Sequence, residues 1–324
     1  MSTLRWKIDR EKPQKELIEE AAALLKRGEL VAFPTETVYG LGADVYNPEA
    51  VQRIFEVKGR IPRSPLLVHV SDLDQVNRLV TVISPLARLL MESFWPGPLA
   101  LILPASPRVP KVVLGGKDSV GLRMPAHPVA LALIEKSGPI AAPSANLSGR
   151  PSPVSAGHVM DDLDGQIAAI LDAGPTDVGL ESTIVDLSRE KPEILRQGGV
   201  PLEELEAILG CRLEAVTRPK QAYKTGDLRI ELCEDRGQLL TALSACPHGT
   251  AALVHYGEHP APGMADSLKA YTLNLKVQGG DLFSIIREAE TQGLQRLIFA
   301  PLPADLTGWG RSLADRIRRA AGVS

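Results

Sequence analysis

Cysteine is scarce in this sequence, and its three residues, Cys211, Cys233 and Cys246, show no CxxC spacing. An odd, scattered set of this kind favours neither a disulfide framework nor a zinc site. There is no apolar run of about twenty residues that could span a bilayer. The first sixteen residues contain no apolar segment and predict neither a signal peptide nor an anchor. We therefore expect a reduced, cytoplasmic protein without membrane association.

An excess of positive charge is also missing, because the formal net charge is −3. Without a global basic field, tight sequence-independent binding of nucleic acid is not expected, and any RNA contact would be weak and confined to a local patch. The sequence lacks the HExxH, GxSxG and GxGxxG patterns. The GGKDS stretch at Gly115 is not a P-loop, because the upstream glycine spacing and the Lys-Ser/Thr pair are absent.

The chain is long for a single hydrophobic core, so its 324 residues predict two domains. Up to residue 210, apolar strand patterns alternate with amphipathic helix patterns across short links, which is typical of a layered α/β fold. Two strand patterns, at residues 182–187 and 193–195, have no helix between them, so we predict a mixed, twisted sheet. Residues 211–227 predict a linker, and residues 228–324 predict a smaller α/β domain.

The most informative stretch begins with a buried strand at residues 30–33. Pro34 interrupts the apolar run, and Thr35, Glu36 and Thr37 follow it, a pattern that delivers polar groups to the end of a sheet. Gly40 and Gly42 then predict a tight turn or a close approach to a ligand.

A helix follows, with Asn47 as its N-cap, Pro48 at its first position and Gly59 at its end. Lys58 and Arg60 flank that glycine. A second strand at residues 65–70 carries His69. Further along, Ser71 is predicted to cap a short helix that runs through residue 79, and residues 106–119 are predicted to form a loop.

Several of these residues have an ordinary structural interpretation. Lys58 and Arg60 could complement the helix dipole, and His69 could be a core side chain. Arg123 lies in an otherwise apolar strand, where a charge is costly unless paired, and Glu36 is a candidate partner. The APSANLSG stretch could be a capped turn, since Ser and Asn favour such positions.

The same residues also stand in longer motifs. FPTETVYGLGAD, KGR, SPLLVH, APSANLSG, ESTIVD and ILRQGG strongly resemble the Sua5/YrdC family of L-threonylcarbamoyladenylate synthases. The stretch DLFSIIREAETQGLQRLIFAPLP resembles the C-terminal domain of the longer Sua5-type members. The resemblance implies a YrdC-like layered α/β domain at residues 1–210 and a smaller Rossmann-like Sua5 C-terminal domain at residues 228–324.

The resemblance also implies an activity. Members of the family combine L-threonine, bicarbonate and ATP, with Mg²⁺, into threonylcarbamoyl-AMP and pyrophosphate. Downstream machinery then transfers the threonylcarbamoyl group to an adenosine of tRNA. We therefore expect a nucleotidyltransferase that takes part in tRNA processing.

Position by position, the resemblance assigns three groups of residues. The catalytic cations are Lys58 and Arg60. The predicted ATP contacts are Arg60, Ser64, Ser119, Ser144, Ser152 and Arg196. The predicted threonine contacts are Thr37, His69, Arg123, Ala142 and Ser182. In this interpretation the guanidinium group of Arg123 holds the substrate carboxylate through two parallel hydrogen bonds.

The chain departs from the family pattern at two places. Ser64 stands where the family usually has asparagine, and serine has a shorter reach. The interdomain SPGM…HYAP element is absent, and in the stretch TRPKQAYKTGD only Tyr223 could replace its aromatic contact to ATP.

Two other functions stay open on sequence grounds. One is a carbamoyl-transfer member of the same superfold that uses carbamoyl phosphate, although such domains usually belong to longer chains with zinc-finger segments. The other is a double-stranded RNA-binding or ribosome-associated module. Salt-dependent RNA binding that ATP and threonine do not affect would favour the second, and the net acidity argues against it.

Overall fold

The computed structural model describes residues 2–215, 222–247, 249–256, 268–275 and 281–323. The chain divides into two compact units, Met1–Ser148 with Ser152–Val216, and Gly149–Pro151 with Thr217–Ser324. Part of the predicted linker, residues 216–221, lies outside the described residues. Among the described residues, no helix is both long and apolar enough to cross a membrane.

One mixed sheet forms the centre of the first unit. Its strands in the described residues are β1 (Leu4–Lys7), β2 (Val31–Phe33), β3 (Gly40–Asp44), β4 (Leu67–His69), β5 (Leu99–Pro104), β6 (Ser119–Arg123), β7 (Ile140–Ala141), β8 (Ala169–Asp172), β9 (Thr183–Asp186), β10 (Glu193–Arg196) and β11 (Glu214–Ala215). Their order across the sheet is β1-β8-β2-β3-β7-β4-β6-β5-β9-β10-β11. Parallel and antiparallel neighbours both occur, which confirms the predicted mixed sheet.

The helices of this unit cover both faces of the sheet. They are α1 (Lys15–Lys26), α2 (Pro48–Lys58), α3 (Leu73–Leu79), α4 (Pro85–Phe94), α5 (Lys111–Leu114), α6 (Pro128–Ser137), α7 (Ala156–Leu163) and α8 (Leu202–Leu209). Along β2, Val31 and Phe33 pack in one hydrophobic core with α1 and α6, whereas Ala32 packs in the other with α2. This alternation is the two-residue period of a strand buried on both sides.

Helix α2 shows why the local signals were reliable. Asn47 Oδ1 accepts hydrogen bonds from the amides of Glu49 and Ala50 at 3.1 and 3.0 Å. Pro48 occupies the first helical position, and Gly59 ends the helix in the left-handed conformation with φ of 56°. Each feature satisfies or avoids an unpaired terminal amide, as predicted for these residue types.

Two local predictions are wrong, and one alternative of a third is excluded. Asp72 rather than Ser71 caps α3, with its Oδ1 accepting from the Gln75 amide at 2.8 Å. The predicted loop at residues 106–119 contains the short helix α5. Gly40 and Gly42 lie in β3 rather than in a turn, because the Phe33 ring packs over them. A Cβ at Gly42 would lie 3.0 Å from that ring and 2.8 Å from Ile140 Cγ2.

The second unit has a parallel sheet, which agrees with the predicted Rossmann-like domain. Its described strands are β12 (Arg229–Leu232), β13 (Ala251–His255), β14 (Lys269–Thr272) and β15 (Arg296–Phe299), in the order β12-β15-β13-β14. Its described helices are α9 (Arg236–Ser244), α10 (Leu282–Thr291) and α11 (Trp309–Ala321). All three strand pairings are parallel in the described residues.

Candidate active site

The buried guanidinium group of Arg123 is the centre of the site. At the end of β6, its Nη2 donates to Glu36 Oε2 at 2.5 Å and its Nη1 donates to Thr37 Oγ1 at 2.7 Å. Its Nε donates to the Gly97 carbonyl at 3.2 Å. The side chains of Arg123 and Glu36 are 4% and 6% exposed. The ion pair considered from sequence is therefore present, and it is held out of water.

The polar segment after β2 reaches Arg123 by folding back across the sheet. β2 is antiparallel to β3, β3 to β7 and β7 to β4, so β2 and β4 run in opposite directions. β6 is parallel to β4, with His69 beside Arg123. The C-terminal ends of β2 and β6 therefore lie at opposite edges of the sheet. Thr37 contacts Arg123 only because the segment after β2 folds back towards β6.

Internal hydrogen bonds hold this returning segment. Thr35 Oγ1 lies 2.8 Å from Thr37 Oγ1 and donates to the Val38 carbonyl at 2.7 Å. The Glu36 carbonyl accepts from the Val178 amide at 2.7 Å. Thr37 has no solvent exposure. The hydroxyl of Thr37 is thus oriented by Thr35 and Arg123 together.

Two histidines near this pair are buried and uncharged. Burial lowers the pKa of His69 to about 3, and the nearby Arg123 lowers it further. Burial likewise lowers the pKa of His127 to about 4, with Arg10 acting in the same direction and Glu36 against it. The His69 ring meets the edge of Phe33 with centroids 5.9 Å apart. Neutral imidazoles can donate or accept a hydrogen bond but add no charge to the site.

Lys58, predicted from the resemblance to be a catalytic cation, binds two backbone carbonyls. Its side chain is buried, and its Nζ donates to the Ser144 carbonyl at 2.5 Å and to the Asn146 carbonyl. Burial lowers the pKa of Lys58 to about 7, and the neighbouring Arg60 adds to this effect. The contacts make Lys58 a residue that fixes the APSANLSG loop, while its predicted catalytic role stays a prediction.

Arg60 is the more accessible cation. It lies one residue beyond Gly59, and its Nη2 is 3.4 Å from the Pro65 carbonyl. Its Nε is buried without a hydrogen-bond partner in the described residues. Burial lowers the pKa of Arg60. A guanidinium group with a donor that has no partner, next to a glycine in the left-handed conformation, is suited to bind an anionic ligand.

The predicted ATP contacts separate into two places along the strands. Ser64 precedes β4, Ser119 begins β6 and Ser144 follows β7, and the strand directions place these three at one end of the sheet. Arg123 and Ser119 mark the two ends of β6, about 13 Å apart at the usual rise per strand residue. The sheet thus offers one polar end next to Lys58 and Arg60, and a second near Arg123.

Ser182 and Arg196, predicted to bind different substrates, contact each other. Arg196 Nε donates to the Ser182 carbonyl at 2.8 Å, and its Nη2 donates to Ser182 Oγ at 3.0 Å. Ser152 Oγ donates to Glu181 Oε1 at 3.0 Å. Gly198 permits this arrangement, because a Cβ there would lie 2.1 Å from the Glu181 carbonyl oxygen. Ser152, Ser182 and Arg196 therefore belong to one cluster.

Ala142 has a backbone role that is already visible. Its amide donates to the Leu67 carbonyl at 2.9 Å, which joins β7 to β4 next to His69. The amide is thus used within the sheet.

Sequence reasoning missed Glu181 and His127, and it considered Glu36 only as an ion-pair partner. Glu181 stands next to Ser182 in ESTIVD, so the motif itself was a usable signal. His127 precedes Pro128 and is the N-terminal boundary of α6, which gives it an ordinary local explanation that hides its proximity to the ion pair.

Tyr223, the residue that could replace the missing aromatic contact to ATP, has ring partners in the second unit. It is 7% exposed, and its ring meets Phe283 with centroids 5.8 Å apart and the Arg319 guanidinium at 4.4 Å. These two partners belong to the second unit, and a contact of the ring with ATP stays a prediction. In the described residues there is no group of three or more His, Cys, Asp or Glu side chains placed to hold a metal ion.

Comparison with known proteins gives a consistent result. A family model named Sua5_yciO_yrdC, described as telomere recombination, matches residues 23–198. The chain is 52% identical over 202 residues to threonylcarbamoyl-AMP synthase of Pyrococcus abyssi, covering 62% of this chain and 59% of that protein. It is 51% identical over 219 residues to the Bacillus subtilis protein of the same name, covering 65% and 62%. These alignments thus span about three fifths of the length of each relative.

Solved structures extend the similarity to the whole chain. The crystal structure of P. abyssi Sua5 complexed with L-threonine superposes with a TM-score of 0.88 at 36% identity, covering 99% of this chain and 98% of that one. Escherichia coli YciO superposes with a TM-score of 0.56 at 27% identity, covering 60% of this chain and 96% of that one. The similarity to the longer protein includes both units.

Proposed function

Because this chain belongs to the Sua5/YrdC family, we propose that it is a threonylcarbamoyl-AMP synthase. The substrates would be L-threonine, bicarbonate and ATP, and the products threonylcarbamoyl-AMP and pyrophosphate. The observation that carries the proposal is the buried Arg123–Glu36–Thr37 cluster, in a chain similar to a structure that holds L-threonine. A buried guanidinium with a hydroxyl beside it is a suitable receptor for the carboxylate of a small amino acid.

The proposed reaction has two steps. L-threonine and bicarbonate first form the N-carboxylate of threonine, with release of water and one proton. A carbamate oxygen then attacks the α-phosphorus of ATP, a new O–P bond forms, and the bond to pyrophosphate breaks. Such chemistry depends mainly on positioning and on stabilising phosphate charge.

Each cluster would have a distinct task. Arg123, Thr37, His69 and Ser182 would hold threonine. Arg60 and Arg196 would stabilise the phosphates, with Lys58 holding the Ser144 loop beside them. Ser64, Ser119, Ser144 and Ser152 would donate hydrogen bonds to ATP. No residue is assigned as a covalent nucleophile.

Mg²⁺ would enter as MgATP. Magnesium commonly keeps phosphate and water oxygens as most of its ligands, so it does not need a dedicated protein cage. In the cell we propose that the product passes to the tRNA threonylcarbamoyl-transfer machinery in the cytoplasm, for synthesis of N6-threonylcarbamoyladenosine.

The proposal is tested by incubating the full chain with L-threonine, bicarbonate and MgATP. We expect pyrophosphate release that depends on threonine, and an AMP adduct of the expected mass. Arg60→Ala should reduce turnover at least tenfold, whereas Arg63→Ala, an exposed cation in the same loop, should not.

Absence of both threonine-dependent products would contradict the function. Adduct formation from carbamoyl phosphate in place of threonine and bicarbonate would favour the carbamoyl-transfer alternative. Salt-dependent RNA binding without any nucleotide chemistry would favour the RNA-binding alternative.

A further inference from the structure

One oxygen of the buried Glu36 carboxylate has no visible partner. Oε2 pairs with Arg123, but Oε1 is closed to solvent and accepts no hydrogen bond within the described part of the chain. Glu36 is 5% exposed. A buried anionic oxygen without a donor is costly, so an oxygen of this kind in a native structure calls for a specific explanation.

The charges at the site suggest what that explanation is. Arg123 and Glu36 together are neutral, and L-threonine at neutral pH is a zwitterion. If Arg123 holds the substrate carboxylate, the substrate ammonium group must also be buried close by. Without an anion for it, the site would enclose an unpaired positive charge, which is strongly unfavourable.

The side chains predicted to hold threonine do not supply that anion, and the neighbouring Glu181 carboxylate already accepts a hydrogen bond from Ser152. Thr37 and Ser182 carry neutral hydroxyls, and both are at most 1% exposed. Burial lowers the pKa of His69 to about 3 and that of His127 to about 4, so both imidazoles are neutral at physiological pH. Glu36 is the carboxylate in contact with Arg123, and it has an oxygen to spare.

We propose that Glu36 recognises the α-ammonium group of L-threonine through Oε1. This inference rests on the proposed function, and it adds a specificity-determining residue to the site. Glu36 would neutralise Arg123 when no substrate is bound. With substrate bound, the carboxylate of threonine would face the guanidinium group of Arg123, and the ammonium group of threonine would face the carboxylate of Glu36. The site would then select α-amino acids over analogues that lack the amino group.

The test compares two ligands by titration calorimetry on the full chain. One is L-threonine, and the other is 3-hydroxybutanoate, which keeps the carboxylate and hydroxyl but lacks the amino group. In Glu36→Gln we expect L-threonine to bind at least tenfold more weakly, because its ammonium loses its charged partner. We expect 3-hydroxybutanoate to bind more tightly, because its carboxylate no longer meets a second anion.

An unchanged ratio of the two affinities in Glu36→Gln would overturn the proposal. Glu29→Gln is the matched control, because Glu29 pairs with Arg53 in the same unit but is 40% exposed. It should leave both affinities unchanged.

Glu36→Asp covers the case in which Glu36→Gln does not fold. Aspartate keeps the charge beside Arg123 but withdraws the carboxylate by one methylene. We expect L-threonine to bind at least fivefold more weakly to it, and equal affinity to the wild type would overturn the proposal. If the wild type itself fails to bind L-threonine, the proposed function fails together with this inference. If the wild type forms the adduct and Glu36→Gln keeps its selectivity, only the inference fails.

Discussion

Arg123 and Glu36 pair in the first unit with 4% and 6% of their side chains exposed, whereas Arg296 and Glu231 pair in the second with 21% and 19% exposed. The second pair is bidentate, at 2.8 and 2.9 Å. A fully buried pair loses the hydration of both charges, and an apolar pair of the same size would often be as stable. The first unit therefore holds its ion pair out of water at the expense of hydration, and the second leaves its pair partly in contact with water.

The largest expected effect is the loss of stability when one partner of each ion pair is removed. Arg123→Ala should lower the free energy of unfolding of the first unit by ~3–5 kcal/mol, because Glu36 is left buried and unpaired. Arg296→Ala should cost the second unit about 1 kcal/mol or less, because Glu231 can recover water. Denaturant unfolding followed by tryptophan fluorescence measures both losses. In a Trp309→Phe background the remaining Trp6 and Trp95 report on the first unit. In a Trp6→Phe/Trp95→Phe background the remaining Trp309 reports on the second.

Equal losses in the two units would show that burial does not distinguish these pairs. In each case the reference is the tryptophan variant with both ion pairs intact, so the loss of stability is always measured against a protein with the same fluorescent probe.

A smaller effect is expected from pH. Because burial lowers the pKa of His69 to about 3 and of His127 to about 4, the folded first unit binds fewer protons than the unfolded chain below pH ~6.5. Stability is therefore fully present above that pH and is lost as the pH falls towards 4. Each histidine contributes a slope of up to ~1.4 kcal/mol per pH unit.

Unfolding of the Trp309→Phe protein at several pH values between 7 and 4 measures this slope. His69→Asn and His127→Asn should each flatten it. His255→Asn is the control, since His255 is similarly buried, at 6% exposure, but lies in the second unit. A slope that neither first-unit substitution alters would rule out the assigned protonation states.

The smallest effect concerns two helix caps. Asn47 caps α2, and Asp235 caps α9 with its Oδ1 accepting from the Gln238 amide at 2.8 Å. Replacing either by alanine should destabilise its own unit by about 1 kcal/mol. Helix α2 ends at Lys58, beside the proposed ATP contacts, whereas α9 lies in the second unit. Therefore only Asn47→Ala should weaken ATP binding. The change should be less than tenfold, because tenfold corresponds to about 1.4 kcal/mol.

Isothermal titration with ATP, together with the unfolding measurements, checks this pair of variants. An equal change in ATP affinity for Asp235→Ala would remove the distinction between the two units.

Elements whose causes are local were predictable from the sequence. Asn47, Pro48 and Gly59 define α2 without reference to the rest of the chain. Ser84 caps α4 in the same local way, with its Oγ accepting from the Ala87 amide at 3.1 Å. Strand β3 was not predictable, because glycines are poor strand formers and the close packing of Phe33 and of the distant Ile140 explains them. Strand β1 depends in the same way on β8, more than 160 residues along the chain.

The site residues show the same contrast between what local sequence indicates and what only the tertiary fold determines. The motifs pointed to Arg123, Thr37, Ser182 and Arg196, and the structure places polar partners on each of them. Their actual partners could not be read from spacing. Lys58 resembles a helix-end cation in the sequence, but its partners are carbonyls of residues 144 and 146 that only the tertiary fold brings close. Which of these residues contact substrate stays a prediction.

Gly59 separates Lys58, which points into the protein, from Arg60, which reaches the loop at Pro65. A Cβ at Gly59 would meet no atom within 4 Å, yet its φ of 56° is one that L-residues adopt at a cost of about 1 kcal/mol. Chirality, rather than lack of room, therefore keeps a side chain out of this position. The different directions of the two cations are set by the handedness of a single backbone unit, and a mirror-image residue would preserve them.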